Sequence, residues 1–420
     1  MSGIEPDRLG ERTTSRDPLF RDNPHLVYDE LRSAGCPVHD PTYGRFIVTS
    51  HQTARTVIRH KDFGVDARRA SGDSYMRKVA GTGVLEGKGN NSYEPPLVLL
   101  DDPAHRRIRL LVSKAFNARR IEDEGPRIER ITERLLRRLD GFDPVDRVDL
   151  VSEFVSLLPA QVIAEILGLE GGDVGTLRTW SEDILWGYDP HRDITRQERL
   201  RTAYEGLVSL IKGTVQLRRS KPADDLISEM VRASQNDDRL DDLEIISLCV
   251  QLMVAGNVTT SDLMGNGLYW LAGHPDQRSR LAADPSLMPG AVEEMLRYDC
   301  PITETARIAQ CDLDLDGVAL QAGDTITVSL AAANHDPAVF EDPHRFDIER
   351  DASGHLGFGS GVHVCLGAPL ARLEASIGLG RFLARYPDYE IVEDGLRRRA
   401  LPFFRGFELL PVMLGRRSGG

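Results

Sequence analysis

Apolar residues recur at spacings of three and four through the middle of the chain, from about Pro103 to Ala283. This period matches the 3.6-residue turn of an α-helix that buries one face, so the region is predicted to be almost entirely helical. Its longest helix is predicted from about Asp242 to Gly273, because Asp241 or Asp242 can cap the start and His274-Pro275 ends it. At 1.5 Å per residue this helix would span roughly 45 Å.

The pattern changes on either side of this helical region. A short helix is predicted around His25 to Ala34, followed by a strand over Gly44 to Thr49. From 308 to 330 apolar residues alternate and turn pairs such as Asp316-Gly317 occur, which indicates a small antiparallel sheet. Since no repeat or Pro/Ser-rich linker divides the chain, the sequence predicts one mainly α domain over residues 1–420 with a small antiparallel β region. About the first 15 residues and the last few are expected to lie outside its ordered part.

Charge and hydropathy exclude some classes of function. The 420 residues carry 52 Lys and Arg against 65 Asp and Glu, a net charge of −13. Nucleic-acid binding usually needs a broad basic surface, which this balance argues against. The first twelve residues have no apolar signal core, and the longest uncharged stretch, from 245 to 261, contains polar residues typical of a buried helix. We therefore expect a cytoplasmic protein that binds neither nucleic acid nor membrane.

The five cysteines include one in an unusual setting. None forms a CxxC pair, which excludes a disulfide framework and the usual zinc knuckles. Cys365 lies where the glycine-rich segment FGSGVHVCLG enters a helical run, and amides at a helix start should lower the pKa of its thiol. A lone thiolate held in this way can be an axial haem ligand. From these residues alone a buried structural cysteine is the alternative, whereas a nucleophilic cysteine lacks a recognisable His/Asn pairing.

The same segment resembles the haem-binding loop of the cytochrome P450 superfamily, whose pattern FxxGxxxCxG is matched at every fixed position. The resemblance, to soluble bacterial members, implies a helical triangular prism around a buried haem b. It implies that Cys365 is the thiolate ligand of the haem iron and that Phe358 packs beneath the haem. It also places Gly359 and Gly367 among the cofactor-binding positions, with Gly361 and Gly367 giving the turn its clearance.

A second motif of the family is Glu294-Met-Leu-Arg297. An acid and a base three residues apart share a helix face, which is common and by itself contributes only a few tenths of a kcal/mol. In the family the pair meets an arginine from a later loop and holds the core around the cysteine. The resemblance assigns that structural role to Arg345 in the segment Pro343-His-Arg-Phe.

A third motif lies in the long predicted helix, where Ala255 and Gly256 precede Thr259 and Thr260. Glycine inside a helix costs about 1 kcal/mol relative to alanine, so Gly256 suggests close approach of another group. The resemblance implies that Ala255 and Gly256 border the haem and that Thr259, with Thr260, is catalytic through a hydrogen bond to dioxygen. Val258 departs from the family, which usually has a carboxylate there for proton delivery. Protons would then pass through the threonines, Asn257, ordered water or Asp262.

Basic residues along the chain supply further family positions. His105 and Arg109 lie four residues apart on one predicted helix face. The resemblance implies that they bind the haem propionates together with Arg307 and His363. It also implies that a basic proximal face docks an acidic ferredoxin, which receives electrons from NAD(P)H through a ferredoxin reductase. Electrostatic complementarity of this kind mainly sets the encounter rate. The predicted face consists of Arg106, Arg107, Lys114, Arg119 and Arg120.

The implied activity is that of a haem-thiolate monooxygenase, which inserts one oxygen atom from O2 into a small lipophilic substrate by hydroxylation or epoxidation. Secondary metabolism or catabolism is the expected setting, and a monomer the expected state. The alternatives are oxidative coupling or desaturation, a peroxide-driven enzyme, or a non-catalytic partner of the same fold. A free and a carrier-tethered substrate are both compatible with the sequence. Pocket residues are expected in the loop from about 71 to 96, in residues 178 to 195, and at Ala255, Val258, Ile302, Thr303 and Phe403.

Overall fold

The computed structural model describes residues 12–14, 17–72, 74–80, 95–113, 116, 118–169, 172–189, 191–233 and 240–415. Most of the predicted pocket loop from 71 to 96 lies outside these ranges, and so does Lys114. The same holds for most of the first 15 residues and for the last five, whose predicted disorder is therefore untested.

Helices make up most of the described chain. In chain order they are α1 Pro18–Asp22, α2 His25–Ala34, α3 His51–Arg59, α4 Tyr75–Ala80, α5 Ala104–Ser113, α6 Ala118–Asp123, α7 Gly125–Leu139, α8 Leu157–Leu167, α9 Val174–Leu185, α10 Ile194–Ser220, α11 Leu226–Ala233, α12 Asp242–Gly273, α13 Pro275–Ala283, α14 Met288–Tyr298, α15 Leu330–Asn334 and α16 Ala368–Arg385. Short 3₁₀ turns occur at Ala67–Arg69, Leu97–Leu99, Trp186–Tyr188, Pro285–Leu287 and Gly361–His363, and Val151–Val155 is a π-helical turn. The predicted short helix and the predicted long helix are both confirmed.

The long helix α12 forms the centre of the fold. A capping box fixes its first turn. The Asp241 side chain accepts a hydrogen bond from the Glu244 amide at 2.8 Å, and the Glu244 side chain accepts one from the Asp241 amide at 3.0 Å. Its length and apolar character would suffice to cross a membrane, but 67% of its most apolar window is buried within the fold. It packs against α8, α9 and α16. A helix that is apolar on every side is expected at the core of a large domain.

Within the described residues the strands form four small sheets. The largest has the order β1-β2-β8-β5-β3, with strands Val38–Asp40, Arg45–Val48, Thr325–Ser329, Glu304–Ala309 and Phe63–Gly64. The others are the hairpin β6 Leu313–Leu315 with β7 Val318–Leu320, the pair β10 Arg397–Arg398 with β11 Phe407–Leu409, and the sheet β4 Arg147–Asp149, β12 Pro411–Met413 and β9 Glu390–Ile391.

The predicted small antiparallel β region is confirmed, since β5 pairs antiparallel with β8 and β6 pairs antiparallel with β7. One further pairing in the largest sheet is parallel. Strand β2 pairs in parallel with β8, with Phe46 opposite Ile326. A parallel pair requires a crossover between its strands, and here most of the chain provides it, so local sequence patterns carry no signal for the pairing. The predicted turn at Asp316-Gly317 is confirmed, because both residues have positive φ, at 52° and 86°.

Candidate active site

A cavity of about 450 Å³ opens beside the middle of α12. Its other walls come from α5, strand β5, the loop before α16 and the first turns of α16. Most of its lining side chains are apolar, among them Leu97, Ile163, Leu185, Val250, Leu263, Leu370 and Phe404. The structure therefore offers a largely apolar chamber to which a few polar side chains from distant parts of the chain converge.

The cysteine loop forms the floor of this cavity. Cys365 is exposed to the cavity, and its amide donates a hydrogen bond to the Phe358 carbonyl oxygen at 2.9 Å. Gly361 has φ +73°, and a β-carbon there would lie 2.9 Å from the carbonyl oxygen of Ile58, so glycine is required. A β-carbon on Gly367 would meet no protein atom within 4 Å and would point into open space at the cavity wall.

Four polar side chains predicted from the sequence meet at one side of the cavity. His105, Arg109, Arg307 and His363 all line it. The rings of His105 and His363 lie 4.1 Å apart between centroids, and Nε2 of His105 is buried with no hydrogen-bond partner among the described residues. Arg307 is 5% exposed, and in the described structure its Nη1 donates only to neutral oxygens, of Thr305 and Ala306. A buried arginine and an unpartnered imidazole nitrogen together suit an anionic group.

On the opposite wall, α12 presents Ala255, Gly256, Thr259 and Thr260 to the cavity. The Thr259 hydroxyl donates to the carbonyl oxygen of Ala255 at 2.7 Å, which leaves its oxygen free to accept a further hydrogen bond. A β-carbon on Gly256 would sit at ordinary contact distance from Ile163, so packing among protein atoms does not require this glycine.

Two of the predicted pocket residues are wrong. Val258 is 2% exposed, belongs to the apolar core and does not line the cavity, because it points away from the α12 face that carries Thr259. Thr303, which directly precedes β5, lines a separate, smaller pocket instead. Ile302 and Phe403 do line the cavity.

Two of the possible proton routes also lead elsewhere. Asp262 is 2% exposed, lies outside the cavity lining, and accepts a hydrogen bond from Nη2 of Arg399 at 3.1 Å. Burial raises the pKa of Asp262 to about 6, against the opposing effect of Arg399. Asn257 is buried outside the cavity lining as well. Neither side chain therefore reaches the cavity.

The Glu294–Arg297 pair is fully buried, with Nε of Arg297 2.7 Å from Oε2 of Glu294. The prediction that Arg345 joins it is wrong. Arg345 is 65% exposed and its side chain pairs with Asp347, whereas Nε of Arg350 lies 3.4 Å from Oε1 of Glu294. Arg345 contributes only its carbonyl oxygen, which accepts from Arg297 at 3.3 Å.

Known proteins are similar to this chain over most of its length. Residues 188–391 match the family model described as Cytochrome P450. The chain is also 37% identical to the 6-deoxyerythronolide B hydroxylase of Saccharopolyspora erythraea over 396 residues, which cover 93% of this chain and 96% of that protein. The chain belongs to the cytochrome P450 family. This P450 is 36% identical to the cytochrome P450 monooxygenase PikC of Streptomyces venezuelae, covering 98% of this chain and 100% of that protein.

Solved structures confirm the fold of this P450. It is similar to P450BioI in complex with an acyl carrier protein carrying hexadec-9Z-enoic acid, with a TM-score of 0.84 and 32% identity. The similarity covers 94% of this chain and 99% of that one. The helical P450 fold with small β-sheets, implied by the resemblance, is therefore established, and so is the class of enzyme, a P450 monooxygenase.

The residues present fit the haem that the family carries. Cys365 opens into the cavity from its floor, and the open side of Gly367 leaves room for a flat group beside the sulfur. The unpartnered Nε2 of His105 and the buried guanidinium of Arg307 lie at the edge where propionates would need donors. The Cys365 sulfur could thus bind the haem iron, and the ring nitrogen of His105 and the guanidinium of Arg307 could bind its propionates.

Electrostatics at the thiol corrects one prediction. Burial raises the pKa of Cys365, while the amides of Gly367 and Ala368 and the guanidinium groups of Arg109 and Arg372 oppose that rise. The helix start therefore acts in the predicted direction, but desolvation outweighs it. A bound metal ion would favour the thiolate further.

The Phe358 ring beside the thiol is held by a charged cluster. The Arg372 guanidinium lies 4.5 Å from the ring centroid and makes a two-point contact with Glu293 at 2.6 and 2.8 Å. His355 approaches the same carboxylate at 3.0 Å. Burial alone would raise the pKa of Glu293, but the hydrogen bonds from Arg372 and His355 and the charges of these two groups lower it to about 2. The ionised carboxylate therefore fixes Arg372 over the ring.

At the cavity edge the positively charged forms of Arg307 and His363 are disfavoured. Burial lowers the pKa of Arg307 to about 10. The pKa of His363 falls to about 3 because of burial and the nearby positive charges of His105, Arg307 and Arg109. A dianionic ligand at this edge would relieve both effects.

Glu374 is a cavity residue that the sequence reasoning missed. It is 1% exposed, its Oε2 has no hydrogen-bond partner in the described part of the chain, and burial raises the pKa of its carboxyl well above the usual value. A signal was available in the sequence, because Glu374 follows Leu370 by four residues and shares its helix face. The apolar periodicity of α16 predicts that this face is buried.

The predicted basic face is smaller than expected. Arg107 forms an ion pair with Glu244, and Arg120 forms one with Glu229. Arg106 and Arg119 are exposed, while Lys114 lies outside the described residues. The positive charge available for a partner is therefore reduced by two internal ion pairs.

Proposed function

We propose that this P450 hydroxylates or epoxidises a lipophilic substrate in the cavity beside Thr259. The observation that carries the proposal is the opening of Cys365 into a largely apolar cavity that four haem-edge donors also line. When bound there, haem b supplies the reductive activation of dioxygen, assisted by electron donation from the thiolate. Cys365 would be its ligand, and His105, Arg109, Arg307 and His363 would hold its propionates.

The role we assign to Thr259 is to position a proton donor at the distal side of the cavity. Its hydroxyl is directed to the Ala255 carbonyl, so its oxygen can accept from an ordered water while Thr260 borders the same space. Since Val258 and Asp262 both point away from the cavity, protons would arrive through water held by the two threonines. The observation that Asp262 is tied to Arg399 supports this route over one through its carboxylate.

The substrate we propose is a lipophilic molecule of the kind that relatives of this P450 oxidise. The apolar lining favours such a ligand, and a relative is named as the hydroxylase of 6-deoxyerythronolide B. Gln251 lines the cavity with its Oε1 buried and lacking a hydrogen-bond partner within the described structure. This carbonyl oxygen would accept a hydrogen bond from a hydroxyl or amide of the substrate, so a ligand with one polar group near α12 fits better than a plain hydrocarbon.

We further propose that electrons arrive from a ferredoxin, reduced by NAD(P)H through its reductase, in the cytoplasm. Its docking site would be the surface around Arg106 and Arg119, beside the exposed Leu110 and Val362. Replacement of both arginines by glutamate should slow reduction and weaken its dependence on ionic strength. The matched control is the replacement of Arg55 and Arg77, exposed arginines outside this surface. Equal effects of the two double variants would contradict the docking site.

The first experiment is an optical titration of the haem-loaded protein with a panel of lipophilic scaffolds, free and attached to an acyl carrier protein. A shift of the iron towards high spin identifies the substrate class, and product analysis with a surrogate ferredoxin then tests the reaction. A ferrous–CO spectrum lacking the thiolate signature would overturn the assignment of Cys365. Turnover with peroxide but none with ferredoxin and NAD(P)H would favour the peroxide-driven alternative.

The role of Thr259 is tested in the same system. Thr259→Ala should raise hydrogen peroxide release relative to product several-fold, whereas Thr259→Ser, which keeps the hydroxyl, should stay near the wild-type ratio. Unchanged coupling in the alanine variant would show that protons reach the cavity by another path.

A further inference from the structure

Three histidines meet at a site remote from the cavity. His25 begins α2, His335 follows α15, and His344 lies in the loop beyond it. One ring nitrogen of each lies within 4.8 Å of the other two. The ring centroids of His25 and His335 are 3.8 Å apart, and those of His335 and His344 are 5.4 Å apart. The fold thus brings together imidazoles that are about 310 residues apart in the sequence.

Two of these rings have buried nitrogens without a partner in the described structure. Nδ1 of His335 lies 3.1 Å from the carbonyl oxygen of Ala331, which can only accept, so this nitrogen carries the proton. Its Nε2 therefore presents a lone pair, and that atom is buried and unpartnered in a residue that is 1% exposed. Nδ1 of His25 is likewise buried and unpartnered. A buried polar atom left in this state requires an explanation.

The third histidine carries the support typical of a metal ligand. Nε2 of His344 lies 3.1 Å from Oδ2 of Asp29, and Asp29 is itself held by Arg32 at 2.6 Å. A carboxylate on one ring nitrogen orients the ring and makes the other nitrogen a better donor to a metal. The His344 side chain is 48% exposed, which gives an ion a path from solvent and leaves a coordination position for water.

The surrounding charges are compatible with a bound cation. The arginines whose charges act on His25 are each paired with a carboxylate: Arg32 with Asp29, Arg297 with Glu294 and Arg405 with Asp299.

We propose that His25, His335 and His344 form a divalent-metal site, with Zn2+ as the ion that best fits three imidazoles and an open position. Imidazole ligands suit Zn2+ better than the oxygen-seeking Mg2+ or Ca2+. At Zn–N distances of about 2.0–2.1 Å, the nitrogens of a tetrahedral site lie about 3.4 Å apart. Closure from 4.8 Å is a small movement, and the side chain of His344, which is 48% exposed, has room to make it.

Occupation of this site would join the start of the chain to the core behind the cysteine loop. Arg297 donates to the carbonyl oxygens of Asn334 and Pro343, the neighbours of His335 and His344. A metal there would therefore clamp α2 onto the segment that holds the Glu294–Arg297 pair. The site is structural and does not take part in the oxidation.

The experiment measures Zn2+ binding to untagged, haem-loaded protein by competition with a chromophoric chelator. We expect one ion per chain, and Zn K-edge absorption should report imidazole nitrogens. His344→Ala should weaken binding at least 100-fold, and Asp29→Asn about 10- to 100-fold. The matched control is His60→Ala, because His60 is also 48% exposed and pairs with an aspartate, Asp62. At free Zn2+ a hundred times Kd, the melting temperature should rise by about 3 °C for a chain of this length.

Failure to bind one Zn2+ per chain would overturn the site, as would equal affinity in His344→Ala and His60→Ala. His25→Ala gives a second test on the other side of the cluster. If that variant loses its haem, the Zn2+ affinity of His344→Ala is the deciding measurement, since His344 is exposed and its replacement leaves the core intact. An unchanged ferrous–CO spectrum in each variant separates loss of metal binding from loss of the fold.

Discussion

Replacing Arg350 with alanine tests how the buried Glu294–Arg297 pair is held. The Arg350 side chain is 13% exposed, and its Nε lies 3.4 Å from Oε1 of Glu294. Its other nitrogens donate to the carbonyl oxygens of Glu341 at 2.5 Å, of Asp342 at 3.0 Å and of Arg345 at 3.1 Å. One side chain thus joins the ion pair to three carbonyl groups of the loop that precedes the cysteine segment.

The size of the effect follows from these contacts. Removal of one member of a buried charged network costs about 3–5 kcal/mol, because the remaining groups are left without partners. At about 2.1 cal/mol/K of unfolding entropy per residue, this loss lowers the melting temperature of a 420-residue chain by roughly 3–6 °C. Arg345→Ala removes one exposed contact to Asp347 at 3.5 Å, worth about 0–1 kcal/mol.

The assay compares thermal unfolding of the two haem-loaded variants, followed by the Soret band, with the wild type alongside. Arg350→Ala should melt several degrees lower and lose its thiolate-type ferrous–CO spectrum sooner, while Arg345→Ala should stay within about 1 °C. If Arg345→Ala lowered the melting temperature as much as Arg350→Ala, the reasoning would be refuted, because Arg345 and not Arg350 would then support Glu294.

Further predictions concern two loop glycines and a buried carboxyl. Gly361→Ala should lower the stability of the apoprotein by about 1–2 kcal/mol, because alanine at φ +73° is strained and its β-carbon meets the Ile58 carbonyl. Gly367→Ala should leave apoprotein stability unchanged and weaken haem retention. A larger loss of apoprotein stability in Gly367→Ala than in Gly361→Ala would contradict the loop geometry. Burial raises the pKa of Glu374 well above its ordinary value of 4.5. Above pH 4.5 the unfolded chain therefore releases the proton of this carboxyl while the folded chain keeps it. As a result, Glu374 makes the free energy of unfolding fall as the pH rises above 4.5. Glu374→Gln should therefore melt higher than wild type at pH 8 and similarly near pH 5; a difference that does not depend on pH would show that ionisation is not involved.

Much of the site could be predicted from local sequence because its elements carry their own signals. The cap at Asp241, the break at His274-Pro275 and the glycines of the cysteine loop each act within a few residues. The spacing of His105 and Arg109 likewise fixes a shared helix face, and both line the cavity. Such short-range rules hold whatever the rest of the chain does.

The misassigned residues depend on contacts between distant segments. Arg345 and Arg350 lie five residues apart in one irregular loop, and only the fold decides which of them reaches Glu294. Val258 and Thr259 are adjacent on α12, so a rotation of 100° per residue separates the cavity face from the core face. The raised pKa of Cys365 depends on how far the folded chain desolvates its thiol, which a motif does not report.

The parallel pairing of β2 with β8 has a consequence for synthesis on the ribosome. Phe46 pairs with Ile326, which is synthesised about 280 residues later. At a translation rate of 5–20 residues per second this is a delay of roughly 15–60 s. During that time β2 presents an unpaired apolar edge in the nascent chain, the type of segment that invites wrong partners. We therefore expect the yield of folded enzyme to depend on chaperones that shield the amino-terminal part of the chain until translation has passed β8.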